Sequence, residues 1–215
     1  MKNRKLILGV FLILAVLFLG IGYAALSNSL SMTGTINSTA DDDNLVVQFD
    51  TGYAPYSEVS GNHISISASK KSDKEISISV GGFSTENDTA VIYFKIINNS
   101  NEIESYDALL SNFTVAMKHG ATLDTASPAT GTASENKFVG EHFTVEVEYV
   151  ESYQDKEAGQ AVNSSATITD GVPTLKAQGH EYVYVKVTVK VNPTGITENL
   201  EPHYFTVNFS AETKN

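Results

Sequence analysis

Along most of this chain the apolar residues recur at every second position. LVVQF places Leu45, Val47 and Phe49 on one face, HISISA places Ile64, Ile66 and Ala68, and EISISV places Ile76, Ile78 and Val80. A period of two is that of a half-buried β-strand. AVIYFKII is apolar on both faces, Ile92, Phe94 and Ile96 opposite Val91, Tyr93 and Ile97, which predicts a strand in the interior of a sheet. NFTVAMKH offers Phe113, Val115 and Met117. HFTVEVEY offers Phe143, Val145, Val147 and Tyr149, with Thr144, Glu146 and Glu148 toward water. In EYVYVKVTVKV every second residue from Val183 to Val191 is valine, and Tyr182, Tyr184, Lys186, Thr188 and Lys190 face the other way. HYFTVNFSAE turns Phe205, Val207, Phe209 and Ala211 inward, and NPTGITENLEP before it has the prolines and glycine of a hairpin loop. These runs, separated by Gly, Asn and Pro, predict an all-β, antiparallel β-sandwich of jelly-roll type, with no internal repeat. Three stretches break the alternation: NEIESYDALLSN predicts a short helical turn at 102–110, residues 120–140 a long mobile loop, and ESYQDKEAGQAVNSS a second insertion over about 150–164.

The beginning of the chain obeys a different rule. Leu6–Ala25 carries no charge, and Lys2, Arg4 and Lys5 ahead of it are the only charges in the first forty residues. A basic head, an apolar run and the small-residue exit GYAA describe an export signal with a cut close to Ala25–Leu26. The run is also long enough, at about 20 residues, to span a bilayer as a helix. Both readings put everything after Ala25 outside the cell. The chain therefore divides into a signal peptide or anchor at 1–25, an N-terminal strand with an acidic tether at 26–44, and a sandwich domain at 45–215. In the middle segment Leu30, Met32 and Ile36 alternate with Ser and Thr before NSTADDDN.

Charge and cysteine usage narrow the function classes. The formal net charge is −11, and removing residues 1–25 with their three positive charges takes it to −14. Such a surface lacks the basic patches that nucleic acid demands, and it disfavours an anionic membrane. Membrane contact is expected only through residues 6–25, before cleavage. There is no cysteine, which excludes a disulfide scaffold, a lipoprotein anchor and a thiolate metal site. Export without disulfides points to a Gram-positive bacterium. The six Asn-x-Ser/Thr sequons, at Asn37, Asn87, Asn98, Asn112, Asn163 and Asn208, reflect richness in Asn, Ser and Thr.

Chemistry-bearing constellations are sparse. The five histidines, His63, His119, His142, His180 and His203, fall at the ends of predicted strands. His180-Glu181 begins a zinc-protease motif, but Tyr184 stands where the second histidine belongs, and a strand lacks the i, i+4 geometry. No serine sits in Gly-x-Ser-x-Gly. Glu146/Glu148 and Glu102/Glu104 are same-face pairs of wet strands. Asp41–Asp43 is the densest oxygen cluster, readable as a calcium ligand set or as a solvated linker. Tyr182 and Tyr184 are placed either to stack on a sugar or to cover the flank of a sheet. We expect no enzyme, no metal and no cofactor.

The join GIGYAALSNSLSMTGTI resembles the processing region of the TasA/camelysin family, bacterial matrix-fibre proteins cut by a SipW-type signal peptidase. VIYFKIINNSNEIESYDALL and the closing pair EYVYVKVTVKV and HYFTVNFSAET are similar to that family's early core strand and terminal hairpin. The resemblance implies a jelly roll, secretion to the cell surface or biofilm matrix, and assembly into extracellular fibres by donation of an N-terminal strand. Leu30, Met32 and Ile36 are then the self-assembly residues. The implied partners are other copies of the chain (a homopolymer), further matrix or cell-surface components, and the signal peptidase. Some members of the group are described as metallopeptidases, which leaves a camelysin-like metallopeptidase as a third reading, although no catalytic motif carries over. The alternative from another class is a surface module that binds glycan or protein through the 120–140 and 150–164 loops. For the N-terminal strand, folding back onto its own domain is as compatible with the pattern as donation to a neighbour.

Overall fold

A computed structural model of the chain describes residues 29–38, 45–50, 56–60, 64–83, 88–101, 106–118, 131–134, 136–140, 143–192 and 203–214. Leu6–Ala25, Ala25–Leu26 and Asp41–Asp43 lie outside the described residues, as do Glu102/Glu104, His63, His119 and His142. The described part is all-β and rich in antiparallel sheet, as the alternating pattern predicts, with no helix. In chain order its strands are β1 (Ser29–Ser38), β2 (Val47–Phe49), β3 (Tyr56–Ser60), β4 (Ser65–Ser72), β5 (Glu75–Gly81), β6 (Thr89–Asn98), β7 (Ala108–Leu110) and β8 (Thr114–Lys118). These are followed by β9 (Gly131–Ser134), β10 (Lys137–Gly140), β11 (Phe143–Val150), β12 (Ser152–Asp155), β13 (Gln160–Asn163), β14 (Thr167–Thr169), β15 (Val172–Leu175), β16 (Tyr182–Val191) and β17 (His203–Thr213).

They form two large sheets and a hairpin. The first sheet runs β14-β15-β7-β17-β1-β5-β4, with β8 continuing the position of β7 along β17. The second runs β2-β6-β16-β11-β10-β9, with β3 continuing the position of β2 along β6. β12 and β13 make the separate hairpin. The inward faces of both sheets meet in one hydrophobic core, to which Ile76, Ile78, Phe205 and Phe209 come from the first sheet and Ile92, Phe94, Val145 and the valines of β16 from the second. Aromatic rings bridge the layers: Phe49 meets Phe209 at 6.4 Å, Phe138 meets Phe205 at 5.4 Å, and Phe113 meets Tyr149 at 4.3 Å between centroids.

Two expectations need correction. Residues 106–110 form no helical turn: Ala108–Leu110 is β7, paired on one side with β15 and on the other with β17. Ala108 and Leu110 are buried there, so tertiary pairing overrides the local helical preference. The stretch 120–140 is not loop throughout. Residues 131–134 and 137–140 form the β9–β10 hairpin, with Asn136 in the left-handed region (φ 62°) between them and Phe138 buried against Phe205. Residues 150–164 are also ordered, as the β12–β13 hairpin. The β14–β15 hairpin had no counterpart in the alternating runs. Its signal is Asp170-Gly171, whose φ values of 52° and 79° are those of a type I′ turn.

The two layers are also joined by polar contacts. Asn98, at the end of β6, is fully buried. Its Nδ2 donates to the carbonyls of Tyr106 and Leu175, both at 2.9 Å, and its Oδ1 accepts from the Ser100 amide at 3.0 Å. Ser100 Oγ in turn accepts from the Val46 amide at 2.8 Å. The buried Leu175 carbonyl has no water to turn to, so a buried side chain that satisfies it and the Tyr106 carbonyl together fixes how the layers meet.

The register of β16 gives a direct check of the core. Val187 is 1% exposed, whereas Thr188 is half-buried on the outer face, opposite Glu146. Val187→Asp is expected to lose about 3–5 kcal/mol by burying an unpaired charge. Thr188→Asp is expected to lose no more than about 1 kcal/mol, from like charge across the strand pair. Urea unfolding of the two variants reads the difference, and equal midpoints contradict this register.

Candidate functional site

The N-terminal strand occupies an interior position of the first sheet. β1 runs antiparallel to β5, Thr35 opposite Glu75 through Ser29 opposite Gly81. Its other edge runs parallel to β17, Leu30 opposite His203 through Ser38 opposite Ala211. The first and last described strands therefore lie side by side and point the same way. Ile36, one of the three residues singled out for assembly, is 4% exposed and belongs to the core. Leu30 and Met32 share its parity along β1; their side chains are outside what the structure describes.

Gly34 has that same inward parity and is buried. A Cβ built on it would come within 2.8 Å of Ile76 Cγ2 and 3.7 Å of the Phe49 ring from the facing sheet. Glycine here lets β1 sit close to β5 while Phe49 closes over the strand. The exit of β1 is braced by the β4–β5 turn. The Ile36 amide donates to the Lys74 carbonyl at 3.0 Å and the Phe49 amide to the Asp73 carbonyl at 2.8 Å. Lys74 Nζ donates to the Val47 carbonyl at 2.6 Å, and burial lowers the Lys74 pKa from its usual 10.5 despite neighbouring Asp73. One turn thus holds both the end of β1 and the start of the second sheet.

A second aromatic cluster lies on the outer face of the second sheet. The β12–β13 hairpin folds over β6 and β16 so that Tyr153 stacks on Tyr93 at 4.2 Å and meets Tyr184 edge-on at 5.1 Å. This cover explains why AVIYFKII is apolar on both sides. Tyr184 is buried, and Tyr182 is half-buried with Lys95 Nζ 4.6 Å from its ring centroid. Lys95 also forms an ion pair with Asp50. The two tyrosines thus flank a sheet, and Tyr153, which drew no notice in the sequence, supplies the cover. Its signal was an aromatic residue inside an otherwise polar insertion.

The remaining candidates are spread over the molecule. Glu148 pairs with Lys186 at 2.7 Å and Glu146 with Lys137 at 3.6 Å, both on the wet face. Glu181 accepts from the Lys176 amide at 2.9 Å, and His180 Nδ1 lies 3.2 Å from the Asn98 carbonyl in a turn where its φ is 47°. Among the described residues no three His, Asp or Glu side chains gather closely enough to hold a metal ion. Scanned against protein-family models the chain matches none, and a search of curated proteins finds no match.

Two outcomes follow from this geometry. Gly34→Val is expected to destabilise the fold by about 1–3 kcal/mol through overpacking against Ile76 and Phe49, measured by thermal and urea melts. Stability is also expected to fall as pH rises above 10. The Tyr149 hydroxyl donates to the Ser111 carbonyl at 2.9 Å, and burial pushes its pKa well above 10.0. Burial and the neighbouring Tyr153, Tyr182 and Asp50 push Tyr184 the same way. A phenol whose folded pKa is raised is protonated in both states below its unfolded value, so the stability is intact there. Above pH 10 only the unfolded chain ionises it, and stability is lost until the folded pKa is reached. Urea melts from pH 8 to 12 check this: Tyr149→Phe should be less stable at pH 8 yet show a shallower alkaline decline.

Proposed function

We propose that this chain is an exported structural protein that assembles with copies of itself into extracellular matrix fibres by exchanging β1. The observation that carries this is the position of β1: a strand near the start of the chain, paired on both edges, filling a slot between β5 and β17. A neighbour's β1 entering that slot remakes every main-chain hydrogen bond in the same register, so exchange leaves the pairing unchanged while joining two molecules. Six residues, 39–44, separate β1 from Leu45 and reach about 20–22 Å when extended. Two facing, antiparallel-rich sheets are compatible with the jelly-roll arrangement implied by the TasA/camelysin resemblance. The basic head, apolar run and GYAA exit support export with cleavage near Ala25–Leu26, from a Gram-positive cell to its surface or biofilm matrix. This function requires no catalytic centre and no cofactor.

Deleting β1 is a poor test, since it removes an interior strand and is expected to unfold the sheet. Covalent trapping is cleaner in a chain without cysteine. Thr33 lies opposite Ser77, and both are half-buried. The bond from the Ile36 amide to the Lys74 carbonyl sets the alternation of the β1–β5 ladder, which makes Thr33 and Ser77 a non-hydrogen-bonded pair with Cα atoms about 4.5 Å apart, within disulfide range. Oxidised assemblies of the Thr33→Cys, Ser77→Cys double variant are expected to give a ladder of covalent multimers on non-reducing gels. Monomers closed only on themselves would overturn exchange.

A further inference from the structure

β4 forms one edge of the first sheet and, among the described residues, pairs only with β5. Bonding of Ile36 to the Lys74 carbonyl turns the main-chain groups of residues 74, 76 and 78 toward β1 and those of 75, 77 and 79 toward β4. Since Ser67 lies opposite Ser79 and Ser69 opposite Ser77, these serines spend their amides and carbonyls on β5. The amides and carbonyls of Ile66 and Ala68 therefore point to the open edge. Sheet edges are commonly blunted by lysine and by bulges. Here both devices sit at one end, Lys70, Lys71 and the irregularity between Lys70 and Ser72, leaving Ser65–Ser69 unguarded.

We propose that β4 pairs antiparallel with β4 of a second copy, about a two-fold axis at Ser67. The sequence from Ile64 to Lys70, ISISASK, is close to palindromic in character. Centred on Ser67, the pair sets Ile66 of each copy opposite Ala68 of the other, a large residue against a small one. Ser65 falls opposite Ser69 on the exposed face and Ile64 opposite Lys70 on the half-buried one. Ile66 with Ala68 is then the hydrogen-bonded pair, which is what the outward-pointing groups require. Ile64, Ile66 and Ala68 already pack against the core, so the core face continues from one molecule to the next. From Ile64 to Ser72 there are two lysines and no acidic residue, and Lys70 is ion-paired to Asp73 of its own chain, so little charge opposes the contact. The lysines of the two strands end up at opposite ends, Lys70 from Lys70 about 20 Å apart, beyond the ~8–10 Å range of screened repulsion. Such a short contact is weak between single molecules and strengthens when many copies are linked in line. It is independent of β1 exchange and would join molecules laterally.

The test is single-cysteine trapping in the full chain. In the proposed pair the two Ser67 residues are non-hydrogen-bonded neighbours with Cα atoms about 4.5 Å apart. Ser67→Cys is expected to form disulfide dimers about tenfold faster or more than Ser79→Cys, which is equally exposed one strand away. Adding Ala68→Pro removes an outward amide unused by β5, and should abolish that advantage. Equal rates for the two cysteines, or an advantage that survives the proline, overturn the proposal. In the unmodified chain, hydrogen exchange of the Ile66 and Ala68 amides should slow with protein concentration, and concentration-independent exchange also overturns it.

Discussion

The fold depends on the parallel pairing of β1 with β17. Parallel neighbours cannot be joined by a tight turn, so nearly the whole chain intervenes between these two strands. With β1 absent, β5 and β4 would be separated from β17, and the inward surface beneath Phe49 would open. With β1 in place, the first sheet is continuous and Gly34 allows Phe49 and Ile76 to close on it. Pairings this distant in sequence form slowly, because loop closure precedes any gain from contact. The proposed exchange rests on this: a slot that fills late would give another copy time to enter it.

The proposed assembly draws two kinds of intermolecular contact from one sheet. Exchange of β1 would use pairings the monomer already makes, so its cost lies in opening the β1–β5 and β1–β17 ladders before they re-form. Edge pairing through β4 would use main-chain groups that, among the described residues, have no strand beside them. The strong negative charge of the chain opposes random association, which is why the proposed contacts are short and geometrically specified. The second sheet has a different character. Its outer face is sealed by Tyr93, Tyr153 and Tyr184 beneath the β12–β13 hairpin.

Much of the core was legible in the sequence, because strands buried on one face write a period of two. Every inward valine of β16 and the inward residues of β5, β11 and β17 read directly. β7 did not, because three residues hold too little alternation to outweigh a helical-looking neighbourhood. The β14–β15 hairpin was announced only by Asp170-Gly171. Asn98 reads as a turn residue in an Asn-rich stretch, and only the meeting of two sheets reveals that it binds the carbonyls of Tyr106 and Leu175. For the candidate site, parity marked Ile36 as inward-facing but said nothing about which strands flank β1. That information lies in residues more than thirty positions away, and no local pattern contains it.

The central claim is that one slot between β5 and β17 serves both the folded molecule and its assembly. Solid-state NMR of assemblies grown from an equal mixture of ¹⁵N-labelled and ¹³C-labelled chains tests it most directly. Correlations between differently labelled chains, linking Thr33 and Ile36 to Ile76 and Phe209, are the predicted result. If β1 contacts β5 and β17 only within its own chain, or if the mixed chains do not assemble, the account is contradicted.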